Sequence, residues 1–296
     1  MTDFSSLKRN RTDINKLNKA IESLNSYSDS NAKDDERFWT PETDKAGNGM
    51  AVIRFLPAPA VDGDDALPWV RIFNHGFQGP GGWLIDNCLT TVNQKCPVCE
   101  HNSSLWNSGV ESNKDVARKQ KRKVNYIANV LIISDPKNPH NEGQVKLFKF
   151  GKKIFDKISE AMNPEFEDET PINPFDFWEG ANFKIKIRQV EGYRNYDKSE
   201  FESTTALFGG DDAKLEALWK KEYSLNEYLD PKHFKSYEQI KSRLDKVLGF
   251  EGIAPSIRAE EISLRQPKIE HDVSDSKLAS SSDDDDLDYF KSLAED

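Results

Sequence analysis

Apolar residues along this chain recur mostly at a spacing of two, in short runs punctuated by Gly, Pro and Asn. From Phe183 to Arg188 the alternation is cleanest: Phe183, Ile185 and Ile187 share one face of a strand, and Lys184, Lys186 and Arg188 share the other. Further strands are predicted at Ala51 to Leu56, at Trp69 to Phe73 running into Asn74-His75-Gly76-Phe77, and at Trp83 to Ile85 after the turn Gly79-Pro80-Gly81-Gly82. Val124 to Ile133 is the most apolar candidate. The polar stretch Asp135 to Gly143 breaks it, and Val145 to Phe150 follows.

A spacing of three and four replaces this pattern in four places. Ile14, Leu17, Ile21 and Leu24 predict a short amphipathic helix behind a basic leader, Lys8, Arg9 and Arg11. Lys152 to Met162 predicts a second helix, Leu215 to Trp219 a third, and Tyr237 to Leu248 a fourth that ends at Gly249. Many short strands, with no βα repeat and no Gly-rich nucleotide loop, predict a mainly β fold with added helices. The expected form is an OB-like β-barrel core carrying a zinc subdomain near residues 70–122. Three parts follow: residues 1–25 as the leader helix, 26–250 as the core, and 251–296 as a polar tail.

Charge changes the picture more than composition does. The formal net charge is -10, yet residues 118–157 hold eleven basic and three acidic residues, and residues 251–296 hold thirteen acidic and five basic. The total hides a basic region and an acidic tail, and local fields decide which ligand is steered where. A hydrophobic content of 36% is enough for a real core. No run reaches the length of a membrane span, and Met1 to Arg11 lacks a secretory apolar segment, so a reducing cytosol and no membrane partner are expected.

The three cysteines, Cys88, Cys96 and Cys99, lie within twelve residues, with His75 upstream. Three thiolates and an imidazole supply the four ligands of tetrahedral zinc, and Cys96-Pro97-Val98-Cys99 is the knuckle. His101 competes for the fourth position. His75 is preferred because a ligand from a separate strand closes a long loop. A redox-active C-x-x-C without metal is the other reading, and it leaves Cys88 unexplained. No glutamate stands beside His75 in an H-x-E arrangement, which argues for a closed structural site and against a zinc hydrolase or deaminase.

Basic residues interleaved with aromatic ones point to single-stranded nucleic acid, because phosphates need cations and unpaired bases need flat rings. The set is Arg118, Lys119, Lys121, Arg122, Lys123, Tyr126, Lys146, Phe148, Lys152, Lys153, Phe183, Lys184, Lys186, Arg188, Tyr193 and Tyr196. Phe148 is expected to face outward beside Lys146. No long basic recognition helix argues for duplex readout. An RNA-binding regulator uses the same chemistry and remains the alternative. In the tail, Asp283, Asp284, Asp285 and Asp286 precede Leu287, Phe290 and Leu293, whose spacing of three predicts a docking helix within an acidic field.

Taken together, these residues resemble the single-stranded DNA-binding replication proteins of T-even-like bacteriophages. The resemblance rests on Lys8-Arg9-Asn10-Arg11, Asn48 to Pro57, Asn74-His75-Gly76-Phe77, Cys96-Pro97-Val98-Cys99, Lys121-Arg122-Lys123, Phe150-Gly151-Lys152-Lys153, Trp178 to Phe183 and the acidic terminus. It implies a non-enzymatic, cooperative, largely sequence-nonspecific protein that coats and protects single strands in phage replication, recombination and repair, in the cytoplasm of an infected bacterium. It also implies one structural zinc on His75, Cys88, Cys96 and Cys99, and a leader that contacts the neighbouring protomer along DNA. The tail, by the same resemblance, recruits polymerase, primosome or helicase-loading proteins and recombination proteins. The sequence departs from the family where Asn10 interrupts the basic cluster and where Phe148 replaces a tyrosine found in relatives.

Overall fold

The computed structural model describes residues 35–63, 65–166, 168–190 and 192–250. The chain divides into two units, Met1–Trp39 and Thr40–Asp296. In the first, the described residues form a short strand, β1 (Phe38–Trp39), preceded by an Arg37–Asp35 ion pair of 2.7 Å.

The second unit holds the remaining strands: β2 (Gly49–Phe55), β3 (Val70–Gly79), β4 (Gly82–Asn87), β5 (Lys123–Ser134), β6 (Val145–Gly151), β7 (Ala181–Val190), β8 (Tyr193–Asn195) and β9 (Glu200–Thr204). Its helices are α1 (Pro97–Trp106), α2 (Glu111–Gln120), α3 (Lys152–Met162), α4 (Asp212–Trp219) and α5 (Tyr237–Leu248). The alternation at β7 is realised: Phe183, Ile185 and Ile187 are buried and the three basic residues turn outward. β5 is buried from Tyr126 to Ile132, as in a strand covered on both faces, with Asn129 the one polar side chain of that run. Sequence periodicity missed α1 and α2, because only Leu105 and Ala117, with Trp106 and Val116 beside them, join their interface.

The OB-like barrel expected from the sequence does not form. Antiparallel pairing runs β6-β5-β2-β7-β8, with β3 branching from β5 and carrying β4, and β9 branching from β7. The cause is the length of β5. Residues 123–127 pair with β3 and residues 130–134 pair with β2, so the sheet forks along one edge of β5 and no ladder of the described residues joins its ends. Strand count and turn spacing, which suggested closure, carry no information about forking.

Two of the cores among the described residues bear on the site. Phe55 centres an aromatic cluster, with ring centroids of Phe150, Phe175, Phe183 and Phe201 at 5.6, 5.5, 5.8 and 6.5 Å. Its neighbour Arg54 is fully buried and donates from Nη2 to the carbonyls of Asp176 (2.8 Å) and Thr205 (3.0 Å), tying two connections to β2. The second core joins Phe77, Leu84, Leu89 and the three cysteines to Ile240, Leu244 and Val247 of α5. A capping box between Ser236 and Gln239 starts α5, and Gly249 ends it at φ 75°, a left-handed conformation that glycine adopts without strain.

Candidate zinc module and nucleic-acid interface

The β3–β4 hairpin and the start of α1 bring the four predicted ligands together. His75 sits in mid-β3, Cys88 follows β4, Cys96 caps α1 and Cys99 lies in its first turn. All four side chains are buried, and their ligand atoms lie within 4.8 Å of one another. Cys96 Sγ and Cys99 Sγ are 3.6 and 3.5 Å from His75 Nε2, and Cys88 Sγ is 3.5 Å from Cys99 Sγ. A zinc tetrahedron with Zn–S of ~2.3 Å and Zn–N of ~2.05 Å has S–N edges of about 3.6 Å and S–S edges of about 3.8 Å, so the donors already stand at coordination spacing.

The electrostatics of the cluster also call for a cation. Burial pushes the His75 imidazole down, but hydrogen bonds to the sulfurs of Cys88 and Cys96 outweigh it and lift it to about 9. The Cys99 thiol is driven far above its ordinary range by Cys88 and Cys96, so three thiolates coexist here only around a positive ion. The site is a structural zinc centre with four protein ligands.

Its outer shell is built as well. His75 Nδ1 donates to the Gln120 carbonyl at 3.3 Å, which leaves Nε2 for the metal. Asn102 Nδ2 donates to the same carbonyl at 2.9 Å. His101 does not reach the cluster. It lies on α1 with its ring 6.3 Å from that of Phe250, and burial holds its imidazole down at about 4.

The predicted nucleic-acid residues separate into three groups. The first meets where β3, β5, β6 and α3 begin or end. Register sets Arg71 opposite Tyr126, Phe73 opposite Val124 and Asn125 opposite Gly151, so Arg122, Lys123, Tyr126, Lys152 and Lys153 converge on one corner, with Lys121 beside them in the chain. The Arg122 guanidinium stands 4.2 Å over the Phe73 ring and donates to Thr90 Oγ1 at 2.7 Å, while Arg71 covers Phe73 at 5.0 Å. Tyr126 is buried and stacks at 3.9 Å on Phe155. Arg71 and Phe73 were missed by sequence reading. Their alternation with buried Val70 and Ile72 was the signal, and it was masked by the shortness of the run.

The second group is a ladder of ion pairs on β7. Lys184 pairs with Glu202 (3.1 Å), Lys186 with Glu200 (2.7 Å), and Arg188 with Asp197 (2.5 Å), so the strip of positive charge seen in the sequence is neutralised by β9 and the turn before it. Lys184 faces Val52, which faces Ser134 at the far end of β5 from Lys123. The core links the two groups, since the ring centroids from Tyr126 through Phe150 and Phe55 to Phe183 follow one another at 5.8, 5.6 and 5.8 Å. Exposed Tyr193 pairs with Val190 at the end of β7, and half-buried Tyr196 follows it.

The third group lies elsewhere. Arg118 is held by Asp115 (2.6 Å) and Glu111 (3.2 Å) on α2 and covers Trp106 at 5.3 Å, and exposed Lys119 shares that helix. Lys146 is half-buried opposite Val130. Phe148 is 2% exposed and Phe183 is 0% exposed. The outward orientation expected for Phe148 is therefore corrected, because its ring stacks on Phe150 at 5.4 Å. Phe183 is likewise spent on Phe55 and Phe201. The leader residues Lys8, Arg9 and Arg11 and the tail residues Asp283 to Asp286, Leu287, Phe290 and Leu293 lie outside the described residues.

A zinc-stapled, forked antiparallel sheet with an arginine–aromatic corner defines a metal-braced binding protein. Comparison with known proteins places it further. The family model described as gp32 DNA binding protein like matches residues 47–248. The single-stranded DNA-binding proteins of Enterobacteria phage T2 and Enterobacteria phage T4 are each 39% identical over 224 residues, covering 74% of this chain and 72% of theirs. The single-stranded DNA-binding protein of Enterobacteria phage RB70 is 39% identical over 99 residues, 32% of this chain and 79% of that relative. This chain belongs to the gp32 DNA binding protein like family. Among the described residues, no helix is long and apolar enough to cross a membrane.

Proposed function

We propose that the chain holds single-stranded DNA at the corner formed by Arg71, Phe73, Lys121, Arg122, Lys123, Tyr126, Lys152 and Lys153. The protein is a non-enzymatic single-stranded DNA-binding protein of phage replication, recombination and repair. The carrying observation is the contact of both the Arg71 and Arg122 guanidiniums with the Phe73 ring, beside a cluster of lysines. Flat groups accept bases of any sequence, and the lysines take phosphates, so binding is largely indifferent to sequence. Because only unpaired strands offer bases to such a corner, binding shifts duplex regions toward opening by linkage, without a nucleotide cofactor. The zinc contributes folding energy here, and its outer-shell residue Gln120 leads directly into the Lys121 to Lys123 run.

In the same reading, residues 1–25 contact the neighbouring protomer through Lys8, Arg9 and Arg11. Residues 26–250 hold DNA and residues 251–296 recruit replisome and recombination proteins, within the cytoplasm of the infected cell. The test is a titration of single-stranded against duplex oligonucleotides at two salt concentrations, using wild-type protein and Arg71→Gln. Wild type should prefer the single strand by at least tenfold and lose affinity with salt, and Arg71→Gln should weaken the single-strand complex. Equal affinity for both forms refutes the proposal.

A further inference from the structure

The corner that carries Phe73 and Arg122 is fastened to the metal module through the short turn that follows Cys88. That turn, Leu89–Val92, is closed by Asn93 in the left-handed region at φ 57°. Its two threonines make different bonds. Thr91 Oγ1 accepts from the Phe73 amide at 3.0 Å and donates to the Phe73 carbonyl at 3.3 Å, and the Cys88 amide donates to that same carbonyl at 2.8 Å. These three bonds fix the backbone of Phe73. Thr90 Oγ1 lies 2.7 Å from Arg122 Nη1 and 3.1 Å from Cys88 Sγ, so one hydroxyl touches both a metal ligand and a guanidinium of the corner. The direction of each bond follows from what each group can give. A guanidinium has only donors, so Arg122 donates and the Thr90 oxygen accepts. The hydroxyl hydrogen is then left for the sulfur, which as a zinc-bound thiolate only accepts. Along the row of thiolate, hydroxyl and guanidinium, each bond polarises the next.

We infer that Thr90 is a positioning residue for DNA binding: its hydroxyl, anchored on the Cys88 thiolate, holds the Arg122 guanidinium over Phe73 ready for a strand. An arginine left free gives up rotamer freedom when it meets DNA, whereas one tied at Nη1 and laid 4.2 Å over a ring has already done so. The tether therefore acts on affinity without adding a contact to DNA. It runs beside the other link between metal and corner, the His75 Nδ1 bond to the Gln120 carbonyl, which reaches the chain two residues before Arg122. The effect of Thr90 on affinity rests on Arg122 meeting the strand as proposed. Its bond to Cys88 is independent of DNA and is read separately.

The test takes the full chain as Thr90→Val, Thr90→Ser, Arg122→Gln and the Thr90→Val/Arg122→Gln pair. Each is titrated with a single-stranded oligonucleotide and, after exchange of zinc for Co(II), examined by its thiolate-to-cobalt charge-transfer band. Valine keeps the shape of threonine and makes neither bond, so Thr90→Val should weaken the single-strand complex about fivefold, while Thr90→Ser stays within about twofold of wild type. In the Arg122→Gln background, Thr90→Val should add less than about twofold, because the group it positions is gone. Losing the hydroxyl also strips a hydrogen bond from the sulfur, so the band should move to longer wavelength in Thr90→Val and stay at its wild-type position in Thr90→Ser. Wild-type metal content confirms that the variants are folded. Equal losses from Thr90→Val in both backgrounds overturn the inference, since loosening of the turn and not Arg122 then carries them. A band that does not move overturns it as well. Unaltered affinity in Thr90→Val while Arg122→Gln binds more weakly rejects the role of Thr90 and leaves the corner standing; if Arg122→Gln also binds like wild type, Arg122 is no part of the corner and both readings of it fall.

Discussion

Replacing the β7 ladder together with its acidic partners tests whether a basic strip visible in sequence contacts DNA. The changes are Lys184→Gln with Glu202→Gln, Lys186→Gln with Glu200→Gln, and Arg188→Gln with Asp197→Asn, which leave net charge unaltered. For a phosphate to take one of these cations, the carboxylate 2.5–3.1 Å away must be left unpaired, so the exchange gains little. Lys123 and Lys153, in contrast, are exposed and carry no ion pair among the described residues. Each phosphate contact on a single strand contributes ~0.7 to the slope of log K against log salt, so Lys123→Gln with Lys153→Gln should flatten it by about 1.4. Between 50 and 200 mM salt, a fourfold change, that removes about a sevenfold share of the affinity loss. Fluorescence anisotropy with a labelled oligonucleotide over that range reads both slopes. The ladder variant should match wild type in slope and lie within twofold in affinity. If its slope falls by one or more while the corner variant's stays put, the assignment of phosphate contacts is wrong.

Other outcomes follow from the buried groups. Burial lifts the Glu222 carboxyl from 4.5 to about 9, with neither side-chain oxygen bonded among the described residues. Because the folded value is raised, this group's contribution to stability is fully present below pH 4.5 and is lost as pH rises through about 9. Glu222→Gln should therefore leave urea unfolding unchanged near pH 4.5 and stabilise by as much as about 3 kcal/mol at pH 7, and an equal effect at both pH values would contradict the assignment. Asn102→Ala frees the Gln120 carbonyl that orients His75, and chelator competition should show zinc held about 10- to 100-fold more weakly. Gly81→Ala sets a methyl against the Lys246 carbonyl. It should cost roughly 1–3 kcal/mol and speed proteolysis at α5, whereas unchanged protection would mean that the helix is not keyed to the hairpin.

Short-range patterns reported what short-range physics controls. The two faces of β7, the helix ending at Gly249 and the Cys96-Pro97-Val98-Cys99 knuckle depend on residues a few positions apart, and each is present as read. The zinc ligands were legible for a related reason, since the sequence holds only three cysteines and they cluster, with His75 preferred to His101 as the imidazole. Contacts between strands are another matter. Nothing near Lys184, Lys186 or Arg188 in sequence announces that Glu202, Glu200 and Asp197 will sit across from them, nor that Phe148 will be buried against Phe150.

By itself, then, the sequence determined the main strands, the helices α3, α4 and α5, the metal and the kind of ligand, because pleat, cap and coordination chemistry are written in neighbouring residues. Only the tertiary structure decided that the sheet forks at β5 instead of closing, that Arg71 and Arg122 both meet the Phe73 ring, and that the β7 cations are already paired. Those outcomes are set by which strands share an edge and in what register, and pairing partners there are brought together by global packing.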